Sequence, residues 1–257
     1  MTTKIKTTHA YLDFLIRTAQ EVDSDIVDQI AKELLGAYFR DRSVFVLGNG
    51  GSAATASHFA CDLAKGAIKW LHKDAKRFRI IALTDNVPLL TAWANDSRYE
   101  DVFAEQLQNF VRRDDVVIAI SGSGNSPNVL KALTLAQAAG ARTIGLTGFM
   151  GGKMISLCQH CVVVPSDNME VIEDLHMAIC HSLTTTIRTA LGEFGRDQVA
   201  VPALQSKSPA AMAVCSDSVT NRGTLLQMTA TSLGLREFGS RFDARADRET
   251  QNQVDAD

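Results

Sequence analysis

Residues 44–62, VFVLGNGGSAATASHFACD, pass from a β-branched and aromatic run through Gly48, Asn49, Gly50, Gly51 and Ser52 into an alanine-rich segment. The apolar run predicts a strand covered on both faces, and the alanines after the glycines predict a helix. The turn between them has three readings: the first turn of a dinucleotide fold, a phosphate cradle, or a tight connection. His58 and Asp62 lie one helical turn apart, so both project from one face and can grip a metal or share a proton. The same spacing also occurs at exposed helix ends with no function, and the pair alone does not decide.

On either side of this stretch the strand–helix unit repeats. Short continuous apolar runs at 43–48, 78–83, 115–120, 142–147 and 161–164 predict strands. The segments 53–65, 87–95 with 99–111, 127–139 and about 168–191 read as helices, and residues 8–40 carry Tyr11, Phe14, Leu15, Ile26, Ile30, Leu34 and Leu35 at helical spacing. Alternation of this kind predicts an α/β, doubly wound (Rossmann-like) five-stranded parallel sheet with helices on both faces. Ligands of such sheets sit beyond the carboxyl ends of the strands, at the topological switch point. After Gly195 the texture changes: VPALQSKSPAAMAVCSDS has two prolines and no period, a short helix is expected at 223–235, and the charged end reads as disordered. The expected division is residues 1–194 as one domain and 195–257 as a partly disordered C-terminal extension.

Composition narrows the classes. Hydrophobic residues make up 46% and charged residues 21% of 257 positions, so a sizeable core is expected. A net charge of −3 with no lysine or arginine cluster argues against nucleic acid. No apolar run approaches a membrane span, and the N-terminus lacks a signal-peptide core, which together with five scattered cysteines points to a reducing, cytoplasmic setting. Cys158 and Cys161 form a single CxxC in LCQHC, more in keeping with small buried side chains than with redox or metal work.

The third strand leads into ISGSGNSPNV, where Ser121, Ser123 and Ser126 alternate with Gly122, Gly124 and Asn125 before a helix. Glycines admit an anion close to the backbone, hydroxyls donate to it, and the helix start adds free N–H groups, so this loop reads as a phosphate site. Ordinary capping would need fewer serines. The first loop fits G-x-G-x-x-A at Gly48, Gly50 and Ala53, but the second strand ends near Asp85, too late for the ribose-binding acid of a dinucleotide fold. The last helix carries EVIEDLHMAICH, with Glu170, Glu173, Asp174, His176 and His181 among apolar neighbours.

GNGGSAATASHF, ISGSGNSPNV, TGFMGGKM (147–154) and the ED-L-H-x4-H string together resemble the sugar isomerase (SIS) domain family, and within it the phosphoheptose (sedoheptulose 7-phosphate) isomerases, over about residues 8–192. The resemblance implies a homotetramer packed through helices, acting on a phosphorylated sugar. It implies substrate contacts at Asn49, Gly50, Gly51, Asn95, Asp96, Ser121, Gly122, Ser123, Ser126 and Glu173. It implies a zinc-binding and acid–base group at His58, Asp62, Glu173 and His181. The chain departs from the pattern at two of these, with aspartate where the family has glutamate at 62 and glutamate where it has glutamine at 173. Glu173 and His181 are also about 12 Å apart along a helix axis, so they either lean together or serve sites in different subunits, and His176 is nearer to Glu173 by spacing.

On this reading Asp62, or Glu173 if the two lengths were exchanged, is the base of an enediol isomerisation, His181 the acid, and zinc at His58 holds the sugar oxygens. Two alternatives remain: a SIS-domain binding protein of the replication-initiator-associating type, and an isomerase of a different phosphosugar.

Overall fold

The computed structural model describes residues 5–68 and 76–199, with side chains through Glu193. The short helix expected at 223–235 and the charged end lie outside the described residues. The chain divides into two units, Met1–Gly195 and Arg196–Asp257, and the sheet belongs to the first.

Two helices come first, α1 (Thr8–Gln20) and α2 (Ser24–Phe39). Each starts where a side-chain oxygen can take the first free backbone donors. Thr7 accepts from the Ala10 amide at 3.1 Å, and Asp23 accepts from those of Asp25 and Ile26. The α2 stripe Val27, Ile30, Leu34 and Tyr38 is buried, as its period requires.

Five parallel strands follow, β1 (Ser43–Gly48), β2 (Arg79–Ala82), β3 (Val116–Ser121), β4 (Arg142–Thr147) and β5 (His160–Val163), in the order β2-β1-β3-β4-β5. Between and after them run α3 (Gly51–Lys65), α4 (Val87–Asp96), α5 (Ala104–Phe110), α6 (Pro127–Ala138) and α7 (Met169–Val199). The expected parallel doubly wound sheet is therefore the fold. The continuous apolar runs of β1 and β3 conceal an alternation. Val44, Val46, Val116 and Ile118 face the α2, α3 and α7 side, while Phe45, Leu47, Val117 and Ala119 face the α4, α5 and α6 side. Each large side chain fully buried in these two cores contributes about 1.5–3 kcal/mol.

Asp115, itself buried, accepts from the Ser43 amide at 2.9 Å and the Arg112 amide at 2.8 Å, which aligns the starts of β1 and β3. Those two neighbouring strands then send their chains to opposite faces, β1 into α3 and β3 into α6, leaving a crevice at their carboxyl ends.

Three expectations need correction. The helix expected over 99–111 resolves into a 3-10 turn, Tyr99–Asp101, and the shorter α5. The buried Asp101 carboxylate, held by Ser97 and Lys131, pins that turn in place. Strand β2 is an edge with Arg79 and Ile81 exposed, so it is not covered on both faces. The last helix passes the expected end at Leu191 and reaches Val199. Among the described residues no helix is long and apolar enough to cross a membrane.

Candidate active site

Strand β3 delivers Ser121, nearly buried, to the crevice, where its Oγ lies 3.2 Å from Ser126 Oγ. The loop between them is braced from behind. The Asn125 side chain donates to the Ser123 carbonyl at 2.8 Å and accepts from the Lys153 amide at 3.1 Å, and the Met154 amide donates to the Gly124 carbonyl at 3.1 Å. Gly124 has φ +62° with the Gly151 carbonyl pressed against it, a conformation and a clearance that only glycine satisfies. Ser126 caps α6 without a hydrogen bond from its side chain to the first turn; Pro127 has no N–H, Val129 donates to Asn128 Oδ1 and Leu130 to the Ser126 carbonyl, which leaves the Asn128 N–H at the helix start. A cavity of about 150 Å³ lies here, lined by Asn49, Ser52, Ser121, Gly122, Ser123 and Ser126, with Met169 and Glu173 from α7. Four hydroxyls and the starts of α3 and α6 suit a phosphate held by neutral donors. A larger hollow of about 460 Å³ lies away from this crevice, beside Arg113 and Arg142, and brings none of the expected site residues together.

Asn49, at the end of β1, makes a reciprocal amide pair with Asn128 on α6, each Nδ2 donating to the other's Oδ1 at 2.9 Å. Tyr99 adds a hydroxyl donated to Asn49 Oδ1 at 3.1 Å. Gly50, with φ +55°, then turns the chain into α3.

Helices α3 and α7 run side by side in one direction. Gly51 stands opposite Glu173, His58 opposite His181 and Gly66 opposite Arg188, a constant offset of 122 or 123 residues. Two groups of expected site residues sit at different levels of this seam. At the upper level the Glu173 carboxylate rests on Gly51, where a Cβ would fall 2.5 Å from Oε2. The position beside the first turn of α3 favours a negative charge. Two turns further, His58 Nε2 lies 3.0 Å from His181 Nε2 and 3.4 Å from Asp62 Oδ2, with His181 Nε2 3.7 Å from the same oxygen.

These three atoms can hold one metal ion between them. Ligands of a tetrahedral zinc with bonds near 2.1 Å stand about 3.4 Å apart, which the three separations bracket. Two imidazoles and a carboxylate, with a fourth position left to substrate, are a donor set of the catalytic kind. Glu173 stands apart from this cluster and lines the cavity instead.

His176 does not join Glu173. It is buried against the sheet with neither ring nitrogen hydrogen-bonded at good geometry. Burial lowers its pKa to about 4, with the Thr147 backbone only partly opposing this. Asn95 and Asp96 are exposed on the last turn of α4, where Asn95 donates to the Asp96 carboxylate at 2.8 Å, and neither lines the cavity. Asn128, Tyr99 and Ser52 are additions to the expected set. Tyr99 lies outside the glycine and serine stretches, whereas Asn128 belongs to the stretch ISGSGNSPNV. Ser57 is a further addition, donating to Asp85 at 2.5 Å and paired with Thr84 at 3.0 Å beside His58.

The SIS domain model matches residues 10–148, which carry β1–β4 of the sheet and the serine loop. The chain belongs to the SIS domain family. Within it the chain is similar to the phosphoheptose isomerase of Bradyrhizobium sp. (strain ORS 278), 39% identical over 169 residues, covering 66% of this chain and 83% of that one. The phosphoheptose isomerase of Pelobacter propionicus is 36% identical over 191 residues, covering 74% and 97%. The structure of phosphoheptose isomerase from Neisseria gonorrhoeae superposes with a TM-score of 0.64 at 31% identity, covering 70% of this chain and 96% of that one.

Proposed function

We propose that this chain is an aldose–ketose isomerase of a phosphosugar, interconverting sedoheptulose 7-phosphate and a heptose 7-phosphate. The observation that carries the reading is the seam itself: a hydroxyl-lined cavity at its head and the His58–Asp62–His181 cluster two turns along it. The two levels are about 12 Å apart, a span suited to a sugar lying extended with its phosphate in the cavity and its carbonyl at the cluster.

The serine loop and the starts of α3 and α6 hold the phosphate, and that binding positions the reacting end. Glu173, at the head of the seam, accepts hydrogen bonds from sugar hydroxyls. Asp62 takes the proton from the carbon beside the carbonyl while His181 gives one to the carbonyl oxygen, which leaves an enediol. His181 then recovers a proton from the neighbouring hydroxyl and Asp62 returns its proton to the former carbonyl carbon, so the net change is a shift of one carbonyl by one carbon. His58, Asp62 Oδ2 and His181 would hold a zinc ion, which would supply Lewis acidity toward the sugar oxygens, with His181 a ligand in place of proton donor and the second carboxylate oxygen of Asp62 left for the proton. Exposed Leu12 and Ile16 on α1 support assembly through helices as a homo-oligomer, in keeping with a tetramer. Five cysteines scattered without a paired framework support a cytoplasmic setting.

The test is incubation with sedoheptulose 7-phosphate and shorter ketose phosphates, with zinc or with chelator, following the aldose product. Turnover of the seven-carbon substrate supports the proposal. Binding of phosphosugars without turnover of any of them would instead favour a SIS-domain binding protein.

A further inference from the structure

Cys158 and Cys161 take no part in the seam, yet their sulfurs converge. Gly145 on β4 is the register partner of Cys161, and a Cβ placed there would meet Cys158 Sγ and Cys161 Sγ at 2.9 Å each. The two thiols fill the space that a side chain would occupy. A bend at Gln159 lets residues three apart turn to one side of the edge strand β5. Both residues are half-buried, beside the edge strand β5. Their shared hydrogen bond holds the Cys161 thiol below its ordinary value, and the same bond with burial pushes Cys158 up, the asymmetry of an attacking and a resolving thiol. The pair also has a mechanical connection to the cavity. The 3-10 turn Gly152–Leu157, which ends at Cys158, supplies the Lys153 and Met154 amides that brace the serine loop.

We propose that Cys158 and Cys161 are a redox-active dithiol, closed to a disulfide by exchange with a low-molecular-weight disulfide, and that closure stiffens the brace behind the serine loop. The Cys161 thiolate attacks one sulfur of the small disulfide, and the first small thiolate leaves and takes up a proton. The Cys158 thiolate then attacks the mixed disulfide at the Cys161 sulfur, expelling the second small thiolate, which takes up the other proton. Two protein thiols are oxidised and one small disulfide is reduced to two thiols. The consequence for substrate rests on the phosphate reading of the loop; the bond and the brace do not.

The experiment equilibrates the full chain with oxidised glutathione, maps disulfides by mass spectrometry and follows amide hydrogen exchange. A Cys158–Cys161 bond reversed by dithiothreitol is expected, with exchange at residues 122–126 and 153–154 slowed several-fold. Cys158→Ser should accumulate a glutathione adduct at Cys161, and Cys158→Ser with Cys161→Ser should show no slowing. Glutathione adducts persisting on both cysteines, both thiols staying open to alkylation, no adduct in Cys158→Ser, or a bond that leaves exchange unchanged would each overturn the proposal. Hydrogen exchange needs no turnover, so its failure is distinct from failure of the isomerase reading.

Discussion

Asn49 and Asn128 hold each other by two amide hydrogen bonds of 2.9 Å, and through them the loop after β1 is fastened to the helix after β3. The two loops flank the switch point, so the pair fixes the width of the crevice in which the phosphate is proposed to bind. Asn128 is almost wholly buried, and its Oδ1 also accepts the Val129 amide.

Asn128→Asp keeps the acceptor for Val129 but sets a carboxylate oxygen against Asn49 Oδ1. A buried acceptor facing another should cost about 1–3 kcal/mol of stability. It should also raise KM for the phosphosugar, with a smaller effect on kcat. Denaturant titration and steady-state kinetics of the same preparation check both. An unchanged KM would mean that the pair does not set the crevice.

Gly51→Ala should weaken substrate binding, because its Cβ would fall 2.5 Å from the Glu173 carboxylate and push it aside. Glu173→Ala removes the obstacle. The two changes in one chain should therefore destabilise less than the sum of their separate effects, with a coupling of about 0.5–3 kcal/mol. Additive costs in a double-mutant cycle would show that Gly51 and Glu173 do not share this space.

His176 makes stability depend on pH. Its folded-state pKa, about 4, lies below the ordinary 6.5, so the folded chain holds the ring neutral and the unfolded chain takes up the proton first. The contribution is fully present above pH 6.5 and is lost as pH falls toward 4. Its size is on the order of 3 kcal/mol. His176→Leu should flatten the fall in denaturation free energy across that window. A variant as acid-sensitive as the parent would place the titration elsewhere.

Much of the fold is legible in the chain because local rules agree. The apolar runs at β1, β3 and β4 and the glycine turns after β1 and β3 predict strands, a parallel sheet and the ligand-bearing ends without any tertiary information. His58 and Asp62 are readable as a pair since one helix sets their spacing. His181 joins them only through the lateral register of α3 on α7, which no local pattern encodes. The same register explains why Glu173 and His181, eight residues apart on one helix, stand at two levels of the seam. Asn128 stands within ISGSGNSPNV, but, like Tyr99, it carries no signature of its role until the fold brings it to Asn49. The turn at 99–101 reads as helix in the sequence because Ser97 and Lys131 reach Asp101 only in the folded chain.

The proposed isomerisation at the α3–α7 seam turns on His181 as proton donor or metal ligand. Its most direct measurement is the rate of aldose formation from sedoheptulose 7-phosphate by the parent chain and by His181→Gln, each with zinc present and with phosphosugar binding measured in parallel. Turnover by the parent is expected, with a loss of about 10²–10⁴-fold in kcat in the variant and binding retained. Turnover by His181→Gln at the parent's rate, or binding by the parent without turnover, would contradict it.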